Sequence, residues 1–220
     1  MISWSITREM LAIGKQLYDK HFIVATEGNY SLKIDDWRII ATPSGLGKGK
    51  LSPDDLVVIN NNGFKLSGKH QVSTEIAMHL EVYRQRPEIK AVIHAHPPGC
   101  TALMLAEKSL DKALLAENVI LLGKIPIAKF ALPSTEEVPK SIIPYIQKTD
   151  CILLDRHGSL TIGKTLQEAF FKLELMEHAA QVYLKALQAG EVNELSRDKI
   201  NSLMELREKK YKIEWPIIPF

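Results

Sequence analysis

Residues 91–98 read Ala-Val-Ile-His-Ala-His-Pro-Pro. The apolar run is a buried strand, and the proline pair ends it, because proline cannot donate to a β-ladder. Residues i and i+2 of a strand share a face. His94 and His96 are therefore presented side by side, at the separation of neighbouring ligands on one ion. Without an ion, two buried imidazoles each need hydrogen-bond partners and repel when both are charged. The competing description is an incidental pair at a strand end, one ring facing water.

A metal needs further donors. His157 stands in a tight turn between two apolar segments, followed by Gly158, which lets the backbone pack closely. Three neutral imidazoles leave one coordination position open, the pattern of a catalytic zinc. Glu75 follows Ser73-Thr74 at the start of a helical segment. Taken alone it is an acidic residue in a first helical turn, where the helix dipole favours it. His79, Glu81 and the stretch 174–178 are expected on solvated helix surfaces. Lys48 and Lys50 are expected in a mobile, solvated loop. His21 and His70 carry no signal.

Periodicity predicts helices over 5–20, 74–85, 99–107, 135–147, 165–188 and from Ser196 to about 210. Strands are expected at 30–34, 38–42, 56–60, 91–95, 119–122, 125–131, 151–155 and 159–162. Gly190 is the expected cap of the longest helix. The irregular mixture favours a mixed or antiparallel sheet covered by helices. The 220 residues suit a single domain, 1–220.

Basic and acidic residues nearly balance, 28 against 26, which argues against a dedicated nucleic-acid partner. No stretch is long and apolar enough for a membrane span, and the N-terminal segment lacks the apolar core of a signal peptide. Cys100 and Cys151 make no disulfide framework, so a reducing, cytoplasmic setting is expected. The apolar tail Trp215-Pro216-Ile217-Ile218-Pro219-Phe220 is expected to be exposed, or to cover a neighbouring subunit or a site.

Taken together, these motifs resemble the class II aldolase/adducin family. The resemblance rests on Ser73-Thr74-Glu75, then His94-Ala95-His96-Pro97, then Asp155-Arg156-His157-Gly158. It is supported by Glu27-Gly28-Asn29-Tyr30-Ser31, Thr42-Pro43-Ser44-Gly45 and Leu51-Ser52-Pro53-Asp54-Asp55-Leu56. Order and spacing hold from about residue 5 to 210.

The resemblance implies a three-layer α/β/α sandwich around a mostly antiparallel sheet, and a homotetramer with interfacial active sites. It implies Zn2+ on His94, His96 and His157, with Glu75 moving the proton. Gly28, Asn29, Ser44, Gly45, Ser73 and Thr74 would hold the phosphate of a small sugar phosphate. Turn amides and a helix N-terminus suit that task. Tyr211 is a candidate for a family tyrosine, whereas Leu114-Leu115-Ala116 stands where another is expected.

The implied reaction is reversible cleavage of a ketose 1-phosphate to dihydroxyacetone phosphate and an aldehyde. Dehydration of a methylthioribulose-type phosphate and cleavage of a 5-deoxypentulose phosphate are alternatives in the same family. A non-catalytic adducin-like module is the alternative from another class, although such modules lack the metal ligands.

Overall fold

Strand β5 (Ala91–Ala95) lies inside an eight-stranded sheet with β1 (Asn29–Lys33) on one side and β8 (Gly158–Gly163) on the other. The structure is a computed structural model and describes residues 2–220. The full strand order is β4-β3-β2-β1-β5-β8-β7-β6. Here β2 is Arg38–Ala41, β3 Val57–Asn60, β4 Lys65–Ser67, β6 Ile127–Ala128 and β7 Cys151–Leu154. Every neighbouring pair is antiparallel except β6 with β7.

Alternation along the strands feeds two apolar layers. Ala91, Ile93 and Ala95 of β5, with Tyr30, Leu32, Cys151 and Leu153, face one layer. Helices α1 (Trp4–Asp19), α3 (Pro98–Leu105) and α6 (Leu166–Ala189) complete it through Met10, Ile13, Leu17, Leu103, Phe170 and Leu173. Val92, Ile152, Leu154, Leu160 and Ile162 face the other way. There α2 (Ile76–Gln85) and α5 (Glu137–Ile146) cover them with Met78, Val82, Val138 and Ile142. The fold is thus α/β, with helices on both faces of a mostly antiparallel sheet.

Helix ends follow local chemistry. The Ser3 hydroxyl caps α1, and the Thr165 side chain accepts from Glu168 N at the start of α6. Gly190 ends α6, as expected. The segment 119–122, expected as a strand, is instead the end of helix α4 (Ala116–Leu121) and its cap. A short apolar run cannot by its periodicity distinguish strand from helix, and the preceding Ala116-Glu117-Asn118 decides for the helix. Of the expected strand 125–131, Ile127–Ala128 pairs as a strand and Ile125 forms an isolated bridge with Leu110. Strand β4, exposed at every residue, carries no apolar pattern and was not expected.

The chain ends in α7 (Arg197–Leu206), a π-turn at Arg207–Tyr211, and the apolar tail. That tail docks on its own chain and stays partly exposed. Trp215 Nε1 donates to the Leu121 carbonyl at 2.8 Å, and Lys124 N donates to the Ile218 carbonyl at 2.7 Å. The Lys172 ammonium sits 4.5 Å from the Trp215 ring centroid. Arg207 donates to the carbonyls of Ile120 and Trp215. Among the described residues no helix is long and apolar enough to cross a membrane.

Candidate metal centre

Three adjacent segments bring the histidines together. In the β1–β5 register Asn29 is opposite His94, and His94 is opposite Leu160 of β8. His157 lies in the turn entering β8, where Arg156 takes a left-handed φ of 54°. Gly158 is required here. A Cβ on it would lie 2.5 Å from the Ala95 carbonyl oxygen and 2.6 Å from His96 Cδ2. The ring centroids of His94, His96 and His157 are 4.7 to 5.3 Å apart. One nitrogen from each ring lies within 4.8 Å of the others.

The hydrogen bonds fix the tautomers. His94 Nδ1 is 2.9 Å from the Ser159 carbonyl oxygen, which can only accept, so Nδ1 carries the proton. His96 Nδ1 is 3.1 Å from a Glu27 carboxylate oxygen, with the same result. Both Nε2 atoms are then bare, yet they lie 3.1 Å apart. Two lone pairs at that distance repel unless a cation lies between them. Tetrahedral ligands at about 2.0–2.1 Å from zinc stand roughly 3.3 Å apart, so the spacing fits neighbouring positions on one ion. Partners on the outer nitrogen of each ring are the usual device for aiming a metal-binding imidazole. Burial and the neighbouring His94 push the His96 pKa down to about 4 against the pull of Glu27, which keeps its ring neutral.

Glu75 caps the group from the start of α2. Its Oε2 is 3.3 Å from His94 Nε2, and its Oε1 is 3.1 Å from His157 Nε2. The second contact is poorly aligned: Oε1 is buried and has no hydrogen-bond partner. An orphaned anionic oxygen facing bare imidazole nitrogens also fits a cation. Burial opposes ionisation of Glu75, but without a metal, protonated His157 and His94 would donate to it and outweigh burial. The carboxyl is held below the usual carboxylate range.

Of the residues expected to hold phosphate, Gly28 and Asn29 lie beside this centre, and Ser73 and Thr74 immediately precede Glu75. Gly28 has φ of 67°, and a Cβ there would meet Ile23 at 2.4 Å and the His94 carbonyl oxygen at 3.0 Å. Asn29 turns its side chain to Glu75, with Nδ2 donating to Oε2 at 2.9 Å. The loops after β2 and before α2 run together, since Ser44 N donates to Gln71 O and Ser73 N to Thr42 O. That leaves the Ser44 and Ser73 hydroxyls free to donate. Gly45, with φ of 72°, has open space where a Cβ would stand. The Thr74 hydroxyl is 2.7 Å from that of Ser134. Tyr211 is exposed in the π-turn, its ring beneath Lys210, with no hydrogen bond or ring contact to the histidine group among the described residues.

Three surface expectations are overturned. Lys48 is buried, and its ammonium donates to the Thr26 carbonyl. Burial lowers its pKa, with Glu75 opposing. Glu177 is also buried, accepting from Gly99 N at 2.8 Å and Cys100 N at 2.9 Å. Those amides start α3, immediately after His96-Pro97. His79 is buried between α2 and β1. Its spacing from Glu75, four residues along one helix, was the available signal. Glu27, whose carboxylate orients His96, was visible only as part of a motif.

Comparison with known proteins bears on the family and the fold. Residues 8–184 match the model of the Class II Aldolase and Adducin N-terminal domain. An L-fuculose phosphate aldolase of Methanococcus vannielii is 34% identical over 175 residues, 80% of this chain and 93% of that protein. A 3-oxo-tetronate 4-phosphate decarboxylase of Escherichia coli is 29% identical over 205 residues, 88% of this chain and 96% of that protein. A solved L-fuculose 1-phosphate aldolase superposes with a TM-score of 0.85 at 28% identity, covering 97% of this chain and 99% of that one. With its fold and most of its length accounted for in this way, the chain belongs to the class II aldolase and adducin family.

Proposed function

We propose that this protein is a zinc-dependent aldolase. It would reversibly cleave a ketose 1-phosphate of the L-fuculose 1-phosphate kind to dihydroxyacetone phosphate and an aldehyde. The observation that carries this reading is the pair of bare Nε2 atoms 3.1 Å apart beneath the unpartnered Glu75 Oε1. A divalent metal on His94, His96 and His157 supplies Lewis acidity toward the carbonyl and neighbouring hydroxyl oxygens of the substrate. Three imidazoles without thiolates suit zinc.

The chain's own residues do the rest. Glu75 accepts the carbon-bound proton in the condensation direction and returns it on cleavage. Gly28, Asn29, Ser44, Gly45, Ser73 and Thr74 anchor the phosphate. Because Ser73 and Glu75 belong to one helix start, anchoring the phosphate sets the reach of the reacting carbon from the carboxylate. We infer a homotetramer working in the cytoplasm, with sites at subunit interfaces.

A second reading follows from the Escherichia coli relative: decarboxylation of a 3-oxo acid 4-phosphate. It needs the same phosphate anchor and the same proton delivery to carbon by Glu75. The test is product analysis on zinc-loaded protein with a panel of ketose 1-phosphates and a 3-oxo-tetronate 4-phosphate. Dihydroxyacetone phosphate released together with an aldehyde supports the aldolase, dihydroxyacetone phosphate released together with carbon dioxide the decarboxylase, and water loss a dehydratase. No turnover of any of them, with full zinc occupancy, would sink the proposal.

A further inference from the structure

Behind Glu75 a row of polar side chains is buried between β1 and α2. Asn29 and Ser31 lie two apart on one face of β1. His79 and Tyr83 follow Glu75 by four and eight residues on one face of α2. All four are buried, Ser31 and His79 almost completely. Asn29 Nδ2 is 2.9 Å from Glu75 Oε2, and Asn29 Oδ1 is 2.7 Å from His79 Nε2. His79 Nδ1 is 2.8 Å from Ser31 Oγ, which is 2.8 Å from Tyr83 Oη. Tyr83 Oη is also 3.2 Å from the Lys90 carbonyl oxygen.

The carboxylate sets the polarity of the whole row. Glu75 can only accept, so Asn29 must turn its NH2 toward it and its oxygen toward His79. His79 must then donate from Nε2, which leaves Nδ1 to accept from the Ser31 hydroxyl. An amide has two orientations of nearly equal shape; the carboxylate selects one, and a donor on the far side locks it in place. Here that donor is His79, and both of its ring nitrogens are engaged.

We propose that His79 is a positioning residue for Glu75. By anchoring the Asn29 amide from its far side, it holds the Glu75 carboxylate in the orientation from which a proton passes to and from the substrate carbon. This role rests on the reading of Glu75 as the proton carrier. The burial itself argues for it. Four polar groups at a helix–sheet contact contribute less to stability than apolar packing of the same volume, unless each is satisfied. The row is satisfied throughout and ends at the carboxylate.

The experiment follows exchange of the carbon-bound proton of dihydroxyacetone phosphate with deuterium oxide, by NMR, on zinc-loaded protein. His79→Leu removes both ring nitrogens; His79→Gln keeps one donor and one acceptor. We expect His79→Leu to lower the exchange rate at saturation about 10- to 100-fold. Half-saturation and zinc stoichiometry stay at parent values, and His79→Gln recovers most of the rate. Ser31→Ala, a nearly volume-neutral change, should lower the saturated rate in the same direction and serves if His79→Leu does not fold. Glu75→Gln is the reference and should slow exchange by about 10²- to 10⁴-fold with zinc still bound. An unimpaired Glu75→Gln enzyme overturns the Glu75 role and His79's with it. A parent-like His79→Leu or Ser31→Ala enzyme beside a crippled Glu75→Gln enzyme overturns the positioning role alone. So does a loss confined to half-saturation or zinc content, or an equal loss in His79→Leu and His79→Gln.

Discussion

At the metal centre single atoms carry distinct duties. Nδ1 of His94 and of His96 is tied to the protein, and Nε2 is bare. His79 has its own titration signature. Burial, with His94 adding, pushes its pKa down to about 3 while Glu75 opposes. The groups facing it are Asn29, Ser31, Tyr83, Glu75 and His94. The unfolded chain has a histidine near 6.5, so between about 6.5 and 3 it binds the extra proton. Stability is therefore complete above 6.5 and falls as pH drops. In metal-free protein, going from pH 7 to pH 5 should remove about 2 kcal/mol through this one residue. Urea melts should show that His79→Gln loses less over this range by about that amount; parallel losses would refute it. The pair His94/His96 was legible because a period of two needs only local sequence. The role of His79 was not, because its partners Asn29 and Ser31 are about fifty residues away and its helix alternates apolar and polar side chains as any surface helix does.

At the scale of elements, the centre depends on how β5 leaves the sheet. The chain turns at Pro97 into α3, whose first amides are held by Glu177 of α6. Glu177→Ala would leave two buried N–H groups without acceptors, a loss of about 3 kcal/mol. Chemical denaturation should report that loss, with roughly half of it in Glu177→Gln, which keeps one acceptor. The same two elements show where pattern ran out. The long α6 was legible from its spacing and its cap, but Glu177 looked like one more polar residue on it. The short α4 was misjudged, because four apolar residues fit either period. The exposed β4 left no pattern at all, since an edge strand with both faces in water has no alternation to impose.

For the whole molecule, the apolar surface is the informative feature. Trp4, Phe64 and Phe130 are each more than half exposed, and so are Trp37, Leu132 and Phe171. A subunit interface would cover side chains of this kind. We expect sedimentation to give four times the 24.8 kDa chain mass; a single-chain mass at micromolar concentration would remove the tetramer. The sheet order was hidden in the sequence, as pairing between distant strands always is. The helices were visible, because each carries its own apolar stripe; their division into two layers came only with the family resemblance.

The centre is assembled from the turn before β1, the start of α2, the end of β5 and the turn into β8. The His94 contact to Ser159 spans 65 residues, and the Asn29 contact to Glu75 spans 46. Glu75, His94 and His96 come from one stretch of chain, but the third imidazole, His157, joins them only when β8 pairs with β5. Loops of this length close late, because their entropy is lost before the contacts form. Refolding from denaturant in the presence of zinc and a colorimetric indicator should therefore show a lag. Helical signal recovers first, and the ion leaves the indicator only with the final tertiary phase. The metal would be acquired by the finished sheet, as a seal on a completed fold rather than a template for it.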